Sequence, residues 1–424
     1  MRFKTYPLQL AFVTAVSLLA CTSCDKNSTV LDGDNLPKPI KINLRLTEQE
    51  MLKSDHSFAF EFFEKVFVEE SADKDKNFMV SPLSLSMALA MTWNGADGET
   101  KDAIQKTLKL SQFKNDEEIN QYYKKLRDAL LKTDPSTKLA IANSIWTNRN
   151  VPIKPEFISA NKDYFSSTVE SADFTDVNTV NRINRWAADN TNNLIDHVLD
   201  KTNPMDLMYL LNAIYFKGIW TSKFDPKNTS KKPFTCENGT VKSVEMMHQK
   251  SDFNYTGNQT FQMVQLPYGN QAFSMLLLLP NEGKKITDIT AILQNNDAWS
   301  SLKSGLSNTQ VDIFMPRFKT EYSKRLNDVL KNMGMEIAFK PGQANFSRMS
   351  DISAFISFVD QFTYINTDEV GTEAAAVTVV GVELTSYQPP KTVTFNANRP
   401  FIYIIQENST GSILFMGAVK GFNE

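Results

Sequence analysis

The chain has 424 residues, with 42% hydrophobic and 22% charged residues and a formal net charge of −3, the balance of a soluble folded protein. No basic block stands out, which excludes a nucleic-acid footprint. Three cysteines (Cys21, Cys24, Cys236) and three histidines (His56, His197, His248) are too few and too scattered for a disulfide framework, a metal centre or a catalytic cluster.

The N-terminus reads as an address rather than as part of the fold. Arg2 and Lys4 precede an apolar run from Leu8 to Ala20, too short for a comfortable membrane span, so residues 1–20 are expected to be a signal peptide. Leu18-Leu19-Ala20-Cys21 resembles the lipobox of bacterial lipoproteins, which implies a lipid on the Cys21 sulfur, with Cys24 as the alternative. Residues 21–45, polar and containing Gly33, Pro37 and Pro39, are expected to form a flexible tether, and the folded body to run over 46–424.

In the body, Phe58, Phe62, Phe63 and Val66 share one helical face. Ser81-Pro82 starts a second helix whose apolar run, Leu83 to Trp93, has little polar relief and should be buried nearly all round. Strands follow at Lys138–Trp146 and Leu207–Phe216, then a hairpin of Phe261–Leu266 and Ala272–Leu279 about Pro267-Tyr268-Gly269-Asn270. Gln310–Pro316 is a further strand and Lys324–Gly334 a short helix. Phe355–Thr367, Val393–Phe395, Phe401–Glu407 and Ser412–Ala418 complete a strand-rich second half. Helices early and strands late make the class α+β with large, mostly antiparallel sheets.

Several segments, in order along nearly the whole body, resemble the serpin family. Asn77-Phe78-Met79-Val80-Ser81-Pro82-Leu83-Ser84 is similar to the start of its buried second helix, and Leu210 to Trp220 to its central strand. Pro316-Arg317-Phe318, Asn398-Arg399-Pro400-Phe401 and Gly417 also fit. Asn366-Thr367-Asp368-Glu369-Val370-Gly371-Thr372-Glu373-Ala374-Ala375-Ala376 is similar to the hinge of inhibitory members. The resemblance implies a single domain of three β-sheets and eight or nine helices, with an exposed reactive-centre loop over about 369–390. It implies that the segment beginning at Gly371 starts free and ends as a new strand of the main sheet. Its family positions Ser81, Ser84 and Asn212 would lie beneath that sheet where strands part. Gln361 stands where the family usually has histidine, and Trp220 where the loop first enters.

The residues suit that mechanism. A strand alternates faces with period two. Thr372, Ala374, Ala376, Thr378, Val380 and Val382 are all small or β-branched and uncharged, fit to pack beneath a sheet. Glu373 and Glu383 fall in the other set, which would stay wet; a slip of one residue would bury both. No proline interrupts Thr372 to Thr385. Counting forward from Thr372 by the family's usual spacing places the bait bond at Thr385-Ser386. Counting back from Val393 places it near Tyr387-Gln388, and Leu384-Thr385 is a third position. These residues suit elastase-, subtilisin- or chymotrypsin-like enzymes; no Arg or Lys between Thr372 and Pro390 offers a trypsin-like enzyme a site.

The expected function is therefore suicide inhibition of serine proteases, with papain-like cysteine proteases as a second class, by a monomer that is not itself an enzyme and needs no cofactor. Partners are the target protease, held as a covalent acyl complex, and a membrane reached through the lipid anchor. The protein is expected to be exported and anchored, facing the periplasm, the cell surface or the extracellular space. The alternative is a non-inhibitory serpin, a binding module or carrier cleaved as a substrate. No Gly-x-Ser-x-Gly or phosphate-loop motif occurs. Glu245-Met246-Met247-His248 reads as a strand end, Asp196-His197 as a surface pair and Cys236 as a packed thiol.

Overall fold

A computed structural model describes residues 36–372 and 392–422. In chain order they form α1 (Leu46–Glu69), β1 (Phe78–Val80), α2 (Pro82–Trp93), α3 (Gly98–Thr107), α4 (Asp116–Leu130), β2 (Lys138–Asn148), α5 (Pro155–Phe165), β3 (Thr168–Ala172), α6 (Val177–Asn190), β4 (Met208–Ile219), β5 (Ser230–Thr235), β6 (Val241–Gly257), β7 (Phe261–Tyr268), β8 (Phe273–Pro280), α7 (Ile286–Leu293), α8 (Asn296–Ser304), β9 (Ser307–Pro316), β10 (Phe318–Arg325), α9 (Asn327–Leu330), β11 (Asp360–Thr367), β12 (Gly371–Thr372), β13 (Val393–Asn396), β14 (Phe401–Glu407) and β15 (Ile413–Val419).

The main sheet runs β10-β11-β12-β4-β2-β3. Every pair in it is antiparallel except β2 with β3. The other strands form one hydrogen-bonded path, β1-β15-β14-β8-β7-β6-β9-β13, with β5 on β6. The long strand β6 is what joins it: Met246 to Tyr255 pair with β9, and Asn254 to Gly257 pair with β7. Two of the three sheets that the resemblance implied are thus continuous through one strand.

The core follows from two apolar segments. Phe58, Phe62, Phe63 and Val66 of α1 are fully buried, and in α2 only Ala88 among Pro82–Trp93 is less than buried. Ser81 caps α2 by accepting from Ser84 N, and Pro82 fills the first turn, where no amide is needed. Gly417 of β15 lies flat against Tyr403, where a Cβ would come 2.2 Å from the ring.

Three expectations are corrected. The body begins before residue 46, because the last part of the assigned tether is fastened down. Asn270 Nδ2 donates to Pro37 O (3.0 Å), Thr133 Oγ1 to Ile40 O (2.5 Å) and Ile42 N to Ser409 Oγ (2.9 Å), while the Ile42 side chain is buried. Residues 355–359 are not strand: Ile356 N bonds Ala338 O, Asn327 Nδ2 donates to Ser357 O, and Val359 N donates to Asn327 Oδ1, all directed at the α9 region. Lys324 belongs to β10, not to a helix. Its ammonium sits 2.9 Å from Glu69 and Glu70, and the helix starts only at Asn327.

Candidate functional site

The site is the top of the main sheet, where β4 ends and β11 turns back. Asp368 shapes that turn, its Oδ1 accepting from Val370 N (2.9 Å) and Gly371 N (3.2 Å). Trp220 N donates to Val370 O (2.8 Å) and Trp220 Nε1 to Asp368 O (2.8 Å), so the end of β4 holds the turn at two points. Trp220 is buried and stacks on Tyr268 with centroids 4.3 Å apart and planes at 13°. The resemblance set Trp220 where the loop first enters; the geometry gives it a specific tie to the turn.

Gly371 and Thr372 then enter the sheet as β12. Gly371 lies opposite Ile219, and Thr372 opposite Gly218 on one side and Thr367 on the other. The approach is close enough that a Cβ on Gly371 would stand 2.1 Å from Gly218 O, so only glycine fits. The Thr372 hydroxyl is 2.7 Å from Tyr268 Oη, both side chains buried. Thr372 therefore faces the core. Burial pushes the Tyr268 phenol far above its usual range, so it stays a neutral partner.

Glu369 is pinned beside the turn. Arg317 Nε lies 2.8 and 2.9 Å from its two oxygens and Arg317 Nη2 2.6 Å from one, and Thr229 Oγ1 donates to it as well. Burial alone would raise this carboxyl, but the Arg317 and Thr229 hydrogen bonds outweigh it and hold it below the ordinary range. The expected loop start is thereby corrected. Glu369, Gly371 and Thr372 are buried and bonded, because the turn at Asp368 feeds them straight between β11 and β4. The predicted positions Glu373, Ala374, Ala375, Ala376, Leu384, Thr385, Ser386 and Tyr387, like Cys21 and Cys24, lie outside the described residues.

Below β12, β11 pairs with β10 and β4 pairs with β2. Among the described residues no ladder joins β11 to β4 directly. The sheet-opening residues fall on the two sides of this slot. Gln361 of β11 clasps Ser81, its Oε1 accepting from Ser81 N and its Nε2 donating to Ser81 O, both 2.9 Å, while Ser81 Oγ donates to Leu414 O at 2.7 Å. Asn212 of β4 instead donates through Nδ2 to Asn143 Oδ1 (2.6 Å), and its buried Oδ1 has no partner among the described residues. A cavity of about 70 Å³ lies between, lined by Ser84, Leu89, Leu210, Asn212, Phe346 and Gln361 among others. The expected sheet-opening residues are thus bonded in two separate sets facing one gap.

Sequence reasoning did not single out Tyr268, Thr229, Asp368 or Asn143 for these roles, and took Arg317 only as part of a motif. Tyr268, Thr229, Asn143 and Arg317 act through partners remote in sequence, whereas Asp368 bonds backbone amides two and three residues on. Elsewhere, His197 pairs with Asp200 at 2.7 Å on the surface, not with Asp196. His248 lies inside β6 and pairs with Asp312 (2.7 Å), and Cys236 is a buried free thiol. Among the described residues no three His, Cys, Asp or Glu side chains are grouped to hold a metal, and no helix is long and apolar enough to cross a membrane.

Residues 53–421 match the family model for Serpin (serine protease inhibitor). A serpin-like protein of Methanosarcina acetivorans is 34% identical over 372 residues, 87% of each chain. The leukocyte elastase inhibitor of Xenopus laevis is 34% identical over 375 residues, 85% of this chain and 96% of that one. The native-state crystal structure of the thermophilic serpin tengpin superposes with a TM-score of 0.80 at 32% identity, covering 91% of this chain and 97% of that one. Taken with a hinge strand seated at the top of the main sheet above an open slot, these likenesses leave one assignment: the chain belongs to the serpin family.

Proposed function

We propose that the chain is a single-use inhibitor of serine proteases, with papain-like cysteine proteases as a second class, acting as a monomer. It traps the acyl-enzyme by extending β12 down the slot between β11 and β4. The observation that carries this reading is the pairing of Thr372 with Thr367 and Gly218 at once, above strands that share no ladder. The protease supplies the chemistry. Its serine oxygen attacks the bait carbonyl, the amine half leaves, and the loop remains bound as an ester. Insertion before water attacks carries that ester to the far end of the sheet.

Continuing the register of β12 gives the inserted state specific partners. Thr378 falls opposite Asn212 and Gln361, where the unpartnered Asn212 Oδ1 can accept its hydroxyl. Val380 falls opposite Leu210 and Val382 opposite Met208, over the apolar part of the cavity, beyond the end of β11 at Asp360. Glu383, opposite Leu207, reaches the end of β4. This supports a bait bond just beyond it, at Leu384-Thr385 or Thr385-Ser386, over Tyr387-Gln388.

The test is to mix the protein with elastase, subtilisin and chymotrypsin. An SDS-resistant adduct is expected with one or more, and the mass of the released fragment identifies the bond. Clean cleavage without an adduct would support the binding-module reading instead. We also infer that the chain is exported and lipid-anchored at Cys21, on the strength of the signal-like N-terminus and the lipobox resemblance. Mass spectrometry of the mature N-terminus should find a diacylglyceryl cysteine there, and Cys21→Ser should abolish it.

A further inference from the structure

β8 runs from Phe273, paired with Tyr268 beneath the hinge, to Pro280, and a recess of about 260 Å³ opens at that far end. Its floor is apolar: Cys236 and Ile286 are 3% and 2% exposed, and Pro280 is buried. Its wall is cationic. Lys74 from the turn before β1, Lys284 and Lys285 from the turn before α7, and Arg399 just before β14 all line it. The three lysines are exposed, and none of the four cations makes an ion pair among the described residues. The acid in the lining, Glu237, lies 3.4 Å from Lys420 Nζ, so its charge is already answered. Arg399 is the fixed point. Its Nε and Nη2 donate to Pro280 O at 3.0 and 2.6 Å, and its Nη1 to Asn398 Oδ1 at 3.0 Å, so every acceptor it has is neutral. A guanidinium has five N–H groups, and two of these are left without an acceptor among the described residues. Burial draws the Arg399 pKa below its ordinary value; Glu282 is near enough to oppose that shift but forms no ion pair.

We propose that this recess is a binding site for a small organic anion, a carboxylate carried on a compact apolar body. The carboxylate meets the uncommitted N–H groups of Arg399, whose fork matches it in shape, with Lys74, Lys284 and Lys285 around it. The apolar body covers Pro280, Ile286 and Cys236. Two observations select this class. Four cations around one recess repel one another, and an anion between them relieves the repulsion. The buried apolar floor favours a ligand with an apolar part over a bare inorganic ion, and a recess of this volume is at the small end of ligand pockets. The site is remote from the slot between β11 and β4, and it stands whether or not the loop traps a protease.

The test is calorimetric titration of the full chain with 2-naphthoate, with its neutral isostere 2-naphthamide and with inorganic phosphate. It is repeated on the double variant Lys74→Glu, Lys284→Glu. Both lysines are exposed and lie outside the helices and strands, so the variant should fold as the wild type does. Lys285→Glu, just before the start of α7 where an acid is favourable, gives a second reading. Naphthoate should bind the wild type about tenfold or more tightly than naphthamide. Its affinity should fall about tenfold in the double variant, less in Lys285→Glu, and several-fold as salt rises from about 50 to about 500 mM. No binding of naphthoate to the wild type, or equal affinity in all three chains, overturns the site. Naphthamide bound as tightly as naphthoate would show an apolar pocket in which the cations take no part. Phosphate bound as tightly would show a site for the bare anion, with no use for the apolar floor. Either result overturns the assignment to an apolar carboxylate.

Discussion

Arg317 and Glu369 fasten the turn that feeds β12: three guanidinium-to-carboxylate contacts of 2.6 to 2.9 Å join it to the start of β10. Glu369 is 5% exposed and Arg317 44%, so one partner is desolvated and the other is not. Glu369→Gln keeps the shape and removes the charge, and should cost about 1–3 kcal/mol of stability. Because the folded carboxyl titrates below its unfolded value of 4.5, this stability is fully present above pH 4.5 and is lost as pH falls through the lower folded value. Melting curves of the two proteins should therefore converge in acid. A constant gap down to pH 2.5 would assign the effect to packing.

In the proposed mechanism Thr372 is the first residue of the loop to enter the slot. Its hydroxyl is buried 2.7 Å from Tyr268 Oη, beneath the stacked Trp220. Thr372→Arg would place a charge beside the neutral Tyr268 phenol in a buried setting, at a cost of several kcal/mol. The body should still fold, since Gly371 and Thr372, the described residues of β12, lie where β4 ends. Mixed with a target protease, the variant should be cut without forming an SDS-resistant adduct. Trapping at the wild-type rate would mean that insertion does not begin at Thr372.

Most of the scaffold was legible because it is written in periodicity. The all-apolar run of α2 between Ser81-Pro82 and Asn94, and the hairpin of β7 and β8, fall within two residues of their sequence-based bounds. The alternation after Gly371 assigned Thr372 to the inner face, and its bond to Tyr268 places it there. What was hidden depends on partners distant in the chain. Pro37 to Ile42 has a linker's composition, yet Thr133, Asn270 and Ser409 fasten its backbone. Residues 355–359 are as apolar as a strand, but Asn327 and Ala338 claim their backbone groups. A charge pair such as Arg317–Glu369, separated by 52 residues, leaves no periodic trace at all.

Asp55 gives the fold an unusual dependence on pH. It is half-buried between α1 and α4, where Tyr122 Oη donates to it at 2.5 Å and Tyr123 Oη at 3.2 Å. Burial pushes its carboxyl up from 3.8 to about 7 despite both hydrogen bonds. The folded state thus holds this proton more tightly than the unfolded chain, and stability falls as pH rises from about 4 to about 7. Asp55→Asn keeps one acceptor and cannot ionise. It should melt close to the wild type at pH 4 and several degrees above it at pH 7.5. A wild-type advantage at pH 7.5 would show that the ionised carboxylate is the stabilising form.

Gln361 stands where a histidine was expected by resemblance, and its amide does what a carboxylate cannot. It accepts from Ser81 N and donates to Ser81 O, both at 2.9 Å, in a buried setting at the start of α2. Leu85 N also donates to Ser81 O, so the carbonyl has a second partner, whereas Ser81 N depends on Gln361 among the described residues. Gln361→Leu should therefore cost about 1–3 kcal/mol by stranding that amide. Gln361→Glu is the sharper test. Protonated, the carboxyl can donate and accept as Gln361 does; ionised, it is an acceptor only and faces the Ser81 carbonyl. Burial would raise its pKa above the ordinary 4.3 or so, so the folded state would favour the proton and lose stability as pH rises through the unfolded value and beyond. Melting temperatures should match the wild type near pH 4 and fall behind it by pH 7. A variant that tracks the wild type across that range would show that donation to Ser81 O contributes nothing, and that only acceptance from Ser81 N holds β11 to α2.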